Sequence, residues 1–129
     1  MSEKGLSYEG YGPHLMLDLN ECDCDKLADM NFIWRLLCDL PPYIGMNKIT
    51  EPYVVQSDGA KPGDEGLTGI VLIVESHMSI HTYAHKKYVF IDIFSCKEFD
   101  VEKVTSYLVD LFQSKKPTVN CVIRGKDFS

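Results

Sequence analysis

No stretch of the chain approaches the roughly 18 consecutive apolar residues of a membrane-spanning helix, so a membrane-embedded role has no support. An excess of basic charge is missing too: 13 Lys and Arg stand against 19 Asp and Glu, a net charge of −6 with histidines neutral. That balance excludes nucleic acid as an expected partner, because phosphate backbones call for a cationic surface. The opening MSEKGLSYEGYGPH lacks a basic segment followed by an apolar one, so no secretory signal is expected and the protein is read as cytoplasmic. Repeats, low-complexity tracts and internal boundaries are absent, and 129 residues suit one domain, 1–129, with one substantial core.

The five cysteines point to free thiols rather than a disulfide framework. Cys22 and Cys24 form a Cys-x-Cys, but no second Cys/His pair at zinc-like spacing accompanies it. Glu21, Asp23 and Asp25 around them favour a solvated helix entry, and no metal is expected. Cys38 and Cys121 sit in apolar segments, where a thiol behaves as a small hydrophobe.

What is present reads as alternating elements. His14–Leu19 (HLMLDL) suits a first strand. Asp25 can cap a helix on which Leu27, Met30, Ile33, Trp34, Leu37 and Leu40 recur at helical spacing, stopped by Pro41 and Pro42. Met46–Val55 reads as a strand with Ile49, Tyr53 and Val55 facing inward, and Pro52 hints at an edge or bulge. Residues 56–66, QSDGAKPGDEG, form a long loop of the kind that often carries function. Leu67–Glu75 has the β-branched apolar character of a central strand. Lys87–Phe94 alternates, with Val89, Ile91 and Ile93 on one face. Asp100 can cap a second helix with Val101, Val104, Leu108 and Leu111 on its buried stripe, and Pro117–Arg124 closes the chain as a strand. The order β-α-β-β-β-α-β predicts an α+β fold, a two-layer sandwich of an antiparallel-rich sheet with both helices on one face. The uncovered apolar face predicts a homodimer stacked sheet to sheet in four layers.

The stretch that resists a purely structural reading is VESHMSIHTY, residues 74–83. Met78 and Ile80 can face a core while Glu75, His77, Ser79 and His81 share the opposite face. Ser76 then falls on the core side, where a hydroxyl needs a partner. A serine hydroxyl is a weak nucleophile without a base, and two local candidates exist: His77 is adjacent and His81 five residues on. No strained Gly-x-Ser-x-Gly elbow surrounds Ser76, which argues against an acyl hydrolase. Taken singly, Ser76, His81 and Cys96 read as a satisfied strand serine, a surface histidine and a buried thiol. Asp92 lines a site or pairs with a backbone amide.

The run EGLTGIVLIVESHMSIHTY followed by YVFIDIFSC resembles the small prokaryotic S-adenosylmethionine decarboxylase proenzymes, which depend on a pyruvoyl group. Their signature is Gly-x-Ser-Gly, then Glu-Ser-His-x-x-Ile-His-Thr, then Asp-x-Phe-x-Cys, and residues 66–96 match it in register. The early Gly12–His14 also fits. The resemblance implies that the chain cuts itself between Glu75 and Ser76, into 1–75 and 76–129. The Ser76 hydroxyl attacks the preceding carbonyl, the amide becomes an ester, and elimination and hydrolysis leave a pyruvoyl cofactor at position 76. That ketone forms a Schiff base with the substrate amine and accepts the electrons freed when carbon dioxide departs. Position by position, the resemblance makes His81 the proton carrier in processing, Cys96 the proton donor after decarboxylation, and Thr68 the processing hydroxyl in place of a serine. Glu75 becomes a chain end that can line the site; His77 matches the signature without an assigned role.

Two departures concern the substrate. Relatives continue His-Thr-Trp-Pro-Glu, whereas this chain has His81-Thr82-Tyr83-Ala84-His85. His85 lacks the paired acceptor oxygens a glutamate offers ribose hydroxyls. The family's Phe-x-Pro-x-Gly segment is replaced by the longer loop, leaving Tyr53 as a substitute aromatic. The expected reaction is decarboxylation of S-adenosylmethionine for spermidine and polyamine synthesis. Arginine or ornithine is the alternative substrate, with Asp58, Asp64 or Glu65 meeting the distal cation. A non-catalytic homologue that keeps the fold is the other alternative.

Overall fold

The structure, a computed structural model, describes residues 10–128; the first nine residues of the segment read for a signal lie outside it. Strand β1 (Gly12–Asn20) opens the fold with Leu15, Leu17 and Leu19 fully buried at every second position. The helical pattern that follows divides in two. Asp23 caps a single turn, α1 (Cys24–Leu27), and Asp29 accepts from the Phe32 amide to start α2 (Met30–Tyr43) afresh. The second cap starts a new helix, in which Met30 and Trp34 stay exposed while Ile33, Leu36, Leu37 and Leu40 carry the buried stripe. Pro41 and Pro42 lie within the last turn rather than ahead of it. The carbonyls there are taken up by the Ile44, Gly45 and Met46 amides.

The expected strand 46–55 is shorter and oppositely phased. Strand β2 spans Tyr53–Ser57, and only an isolated bridge joins Lys48 to Ile73. Pro52 offers no amide to a ladder, so regular pairing begins after it. Its register, Tyr53 against Ile70, turns Val54 toward the core. Tyr53 and Ile49, expected inside, are 69 % and 62 % exposed. Strands β3 (Gly66–Ile73) and β4 (Ser76–Tyr83) form a hairpin across Val74–Glu75, and a 3₁₀ turn, Ala84–Lys86, leads into β5 (Tyr88–Ser95). Asp100 caps α3 (Val101–Phe112) as its spacing predicts, and β6 (Lys116–Arg124) closes the chain.

The six strands pair in the order β2-β3-β4-β5-β1-β6, every neighbour antiparallel. Helices pack on one face over Leu15, Leu17, Val71, Met78, Ile80, Ile91 and Ile93. This is the expected two-layer α+β sandwich, with three helices where two were anticipated. The buried Thr82 hydroxyl donates to the Leu27 carbonyl at 2.8 Å and accepts from the Leu67 amide at 3.0 Å, tying α1 to the sheet without an unmet polar group. Cys22 is buried, not solvated, and burial pushes its thiol up to about 11. Cys121 is exposed on the edge strand rather than packed as a hydrophobe. The opposite sheet face stays open, with Ile70, Leu72, Phe90 and Val122 exposed. Among the described residues no helix is long and apolar enough to cross a membrane.

Removing a fully buried side chain leaves a cavity, whereas trimming an exposed one does not. Ile80→Ala is therefore expected to cost about 2–5 kcal/mol in urea unfolding. Ile49→Ala is expected to stay within about 0.5 kcal/mol, and a large loss there would contradict the exposed placement.

Candidate active site

Antiparallel pairing of β3, β4 and β5 brings the Glu75–Ser76 bond to one end of the sheet. Ser76 pairs with Ile73 on one side and Ser95 on the other, so Cys96 arrives beside the turn. Its backbone amide donates to the Glu75 carbonyl at 2.9 Å. That oxygen belongs to the bond between Glu75 and Ser76, and the amide draws electron density from its carbonyl carbon. Gly12 of β1 passes against the same segment: a Cβ there would sit 1.9 Å from the Ser95 carbonyl oxygen, so only glycine permits the approach.

The Glu75 side chain is buried and gripped by one residue. Asn47 donates its backbone amide to Oε1 at 3.2 Å and its side-chain amide to Oε2 at 3.1 Å, and its carbonyl accepts from Val74. Burial alone would raise the Glu75 carboxyl. The Asn47 and Glu75 amides, with the Lys97 ammonium, outweigh that and hold it below its ordinary value. Lys97 also donates to the Gly45 carbonyl at 2.7 Å, fastening the segment after Cys96 to the one before Asn47.

On the open face beside the turn, Phe94 gathers a polar ring. His77 flanks it from β4 and His14 from β1, with ring centroids 5.8 Å and 5.5 Å away. Arg124 lies over it at 4.1 Å, and Tyr11 packs at 5.6 Å. Asp92 holds His14 Nε2 at 3.1 Å, a side-chain partner in place of the backbone amide of the second reading. The neighbouring Cys96 thiol, chiefly through a hydrogen bond, raises the Tyr11 hydroxyl. Ser76 Oγ lies 3.3 Å from His77 Nδ1.

Thr68 and His81 are together, Oγ1 to Nδ1 at 3.3 Å, but not with Ser76. His81 is five positions along β4, about 16 Å at the rise of a strand. Thr68 lines a small cavity of about 110 Å³ with Asp64 and Tyr83, and Phe90, the register partner of His81, lines another of about 270 Å³ with Tyr83, Tyr88, Asp64 and Lys86. Asp64 pairs with Lys86, which lowers its carboxyl. Tyr53 lies on edge strand β2, two residues from the position paired with Thr68. His85 is exposed and lines a separate cavity with Ala28, Gln56 and Glu65. The expected residues thus fall into two clusters, Glu75-Ser76-Cys96 and Thr68-His81. Sequence reading missed Asn47, His14, Tyr11 and Arg124. The Gly12–His14 match was the one available pointer. Among the described residues no cluster of His, Cys, Asp or Glu suits a metal ion.

Fold and site define a two-layer α+β domain whose chemistry is concentrated at one sheet hairpin and on the face beside it. The profile of the S-adenosylmethionine decarboxylase family matches residues 13–125. An S-adenosylmethionine decarboxylase proenzyme of Clostridium botulinum is 33 % identical over 122 residues, 94 % of this chain and 98 % of the relative. One from Pyrococcus furiosus is 30 % identical over 115 residues, 88 % of this chain and 78 % of the relative. The crystal structure of the adenosylmethionine decarboxylase from Aquifex aeolicus superposes with a TM-score of 0.76 at 26 % identity, covering 92 % of this chain and 93 % of that one. The chain belongs to the S-adenosylmethionine decarboxylase family.

A carboxyl whose folded value is depressed contributes stability that is full above its unfolded value and lost as pH falls through the folded one. A Ser76→Ala chain, which lacks the hairpin hydroxyl, is therefore expected to lose urea resistance on acidification below the ordinary glutamate range. Asn47→Ala, which removes the side-chain amide, is expected to shrink that loss; an unchanged pH slope would show the clamp to be without effect.

Proposed function

We propose that this chain is a self-processing, pyruvoyl-dependent decarboxylase acting on S-adenosylmethionine to supply aminopropyl groups for spermidine, cut into 1–75 and 76–129. The observation that carries this reading is the Cys96 amide on the Glu75 carbonyl, with the Ser76 hydroxyl on the other side of the same bond. Family membership supports it: the relatives carry the name proenzyme. The residues present fit the group. Ser76 supplies its atoms, Cys96 N–H stabilises the oxyanion formed on attack, and Asn47 holds the departing Glu75 segment. Once formed, the pyruvoyl ketone supplies an electron sink for loss of carbon dioxide. Cys96 Sγ, beside the turn, holds the proton to be returned afterwards.

Thr68 and His81 cannot reach Ser76 within one chain, since about 16 Å of strand separates them. A twofold axis lying between two open faces and crossing the strands would set this pair opposite the Ser76 and Cys96 of a second copy. Stacked sheets lie about 10 Å apart, a gap their side chains span. The exposed Ile70, Leu72 and Phe90 would be covered in the same step. The homodimer is thus needed to complete the site, not only to hide apolar surface.

The cavity by Tyr83, Tyr88 and Phe90 favours a second reading of substrate. Its carboxylate, Asp64, would exchange its Lys86 partner for the distal cation of arginine or ornithine, and His85 offers no paired acceptors for a ribose. Asp58 and Glu65 flank Asp64 in the same loop.

Purified wild-type chain is expected to run as two fragments divided before Ser76, the second blocked to N-terminal sequencing, and Ser76→Ala as one chain. Carbon dioxide release from S-adenosylmethionine, arginine and ornithine then identifies the substrate. A chain that is never cut, or releases none from all three, is a non-catalytic homologue. His81→Ala and Ser76→Ala chains are each expected to stay uncut alone. Co-expressed, a fraction of the His81→Ala chains is expected to be cut, because the partner restores the imidazole. Failure of that rescue while wild type is cut would confine the site to one chain.

A further inference from the structure

We propose that His77 is the proton acceptor for Ser76 in the first covalent step, conversion of the Glu75–Ser76 amide to an ester. The inference rests on the self-processing reading above and assigns one residue within it. Ser76 Oγ has one side-chain partner among the described residues, His77 Nδ1 at 3.3 Å. In the tautomer protonated at Nε2, that nitrogen accepts from the hydroxyl. Within one chain neither other histidine of the open face can stand in for it, and the His81 that a second copy would bring is left for the later proton movements of processing. His81 is about 16 Å along the strand, and His14 has its Nε2 engaged by Asp92.

The surroundings keep the ring unprotonated. His77 is half-buried beside Phe94, and burial disfavours its cation. Charges reach it from three strands: His14 of β1 and Arg124 of β6 work against a proton, Asp92 of β5 works for one. On the β3 side its register partner is Leu72, which carries no charge. The result is an imidazole held below its ordinary value, hence a free lone pair at neutral pH.

The step balances within the chain. The Oγ proton passes to His77 Nδ1 as Oγ bonds to the Glu75 carbonyl carbon, whose oxygen is held by the Cys96 amide. The carbon–nitrogen bond then breaks, and the Ser76 nitrogen takes the proton back from His77. One amide becomes one ester and one amine, with no co-reactant and no net change in protons.

The test is the rate of backbone cleavage, read on gels from freshly synthesised full-length chain between about pH 5 and 9, a window bracketing histidine titration. Wild type is expected to cleave with an acid limb whose inflection lies below the ordinary histidine value. His77→Gln and His77→Ala, each checked for folding by thermal unfolding, are expected to slow cleavage at least about 100-fold and lose that limb. Added imidazole should partly restore cleavage of His77→Ala, which a merely structural role would not allow. Hydroxylamine, which cuts esters but not amides under mild conditions, should release no fragment from either variant early in the reaction. Cleavage of both variants within about threefold of wild type, or a wild-type rate with no acid limb, overturns the assignment. A wild-type chain that is never cut overturns the processing reading instead.

Discussion

The backbone hydrogen bond from Cys96 to the Glu75 carbonyl is the constraint on which the rest of the site depends. It exists because β4 and β5 pair with Ser76 opposite Ser95, and because Gly12 lets β1 lie against the end of β5. A single slip of that register would turn every side chain of β4 to the other face. Met78 and Ile80 would then lose their core positions, and Ser76 its place at the hairpin end. The same burial that stabilises the domain therefore fixes the carbonyl against its donor. An amide used this way asks nothing of the side chain at position 96, which leaves the thiol free for other work.

The geometry also divides labour along one strand. Strand β4 carries His77 and His81 on the same open face, because positions four apart in a strand share a side. The rise per residue nonetheless separates their surroundings. One neighbours Phe94, Asp92 and Arg124; the other neighbours Thr68, Phe90 and Tyr83. Two imidazoles on one face of one strand thus meet different hydroxyls, His77 that of Ser76 and His81 that of Thr68.

Much of this was legible in the chain. The leucines of β1, the Asp100 cap and the alternation of β5 each follow from a local period or a local hydrogen bond, and each holds. Ser76, His81, Thr68 and Cys96 stood out only through the resemblance of residues 66–96 to the family motif, since each taken singly reads as an ordinary residue. Their division into two clusters could not be read there, because the spacing of a hairpin says nothing about which end a side chain occupies. Asn47 was invisible for a different reason. It lies 28 residues before Glu75, in a stretch that joins the sheet through one bridge rather than a ladder. His14 and Asp92 are 78 residues apart. The phase of β2 went astray because Tyr53 and Val55 alternate as well outward as inward, and only the partner strand decides between them.

The strand order has a consequence for what a break at the hairpin leaves behind. Residues up to 75 hold β1, β2 and β3, and those from 76 hold β4, β5 and β6. In the sheet, β1 lies between β5 and β6, so each portion reaches through the other. Three ladders, β3 with β4, β5 with β1 and β1 with β6, cross from one portion to the other. Halves severed there would stay interlocked, unable to part without dismantling the shared core. The freedom gained would be local: a new end at position 76 would swing while the paired strands around it stay in place.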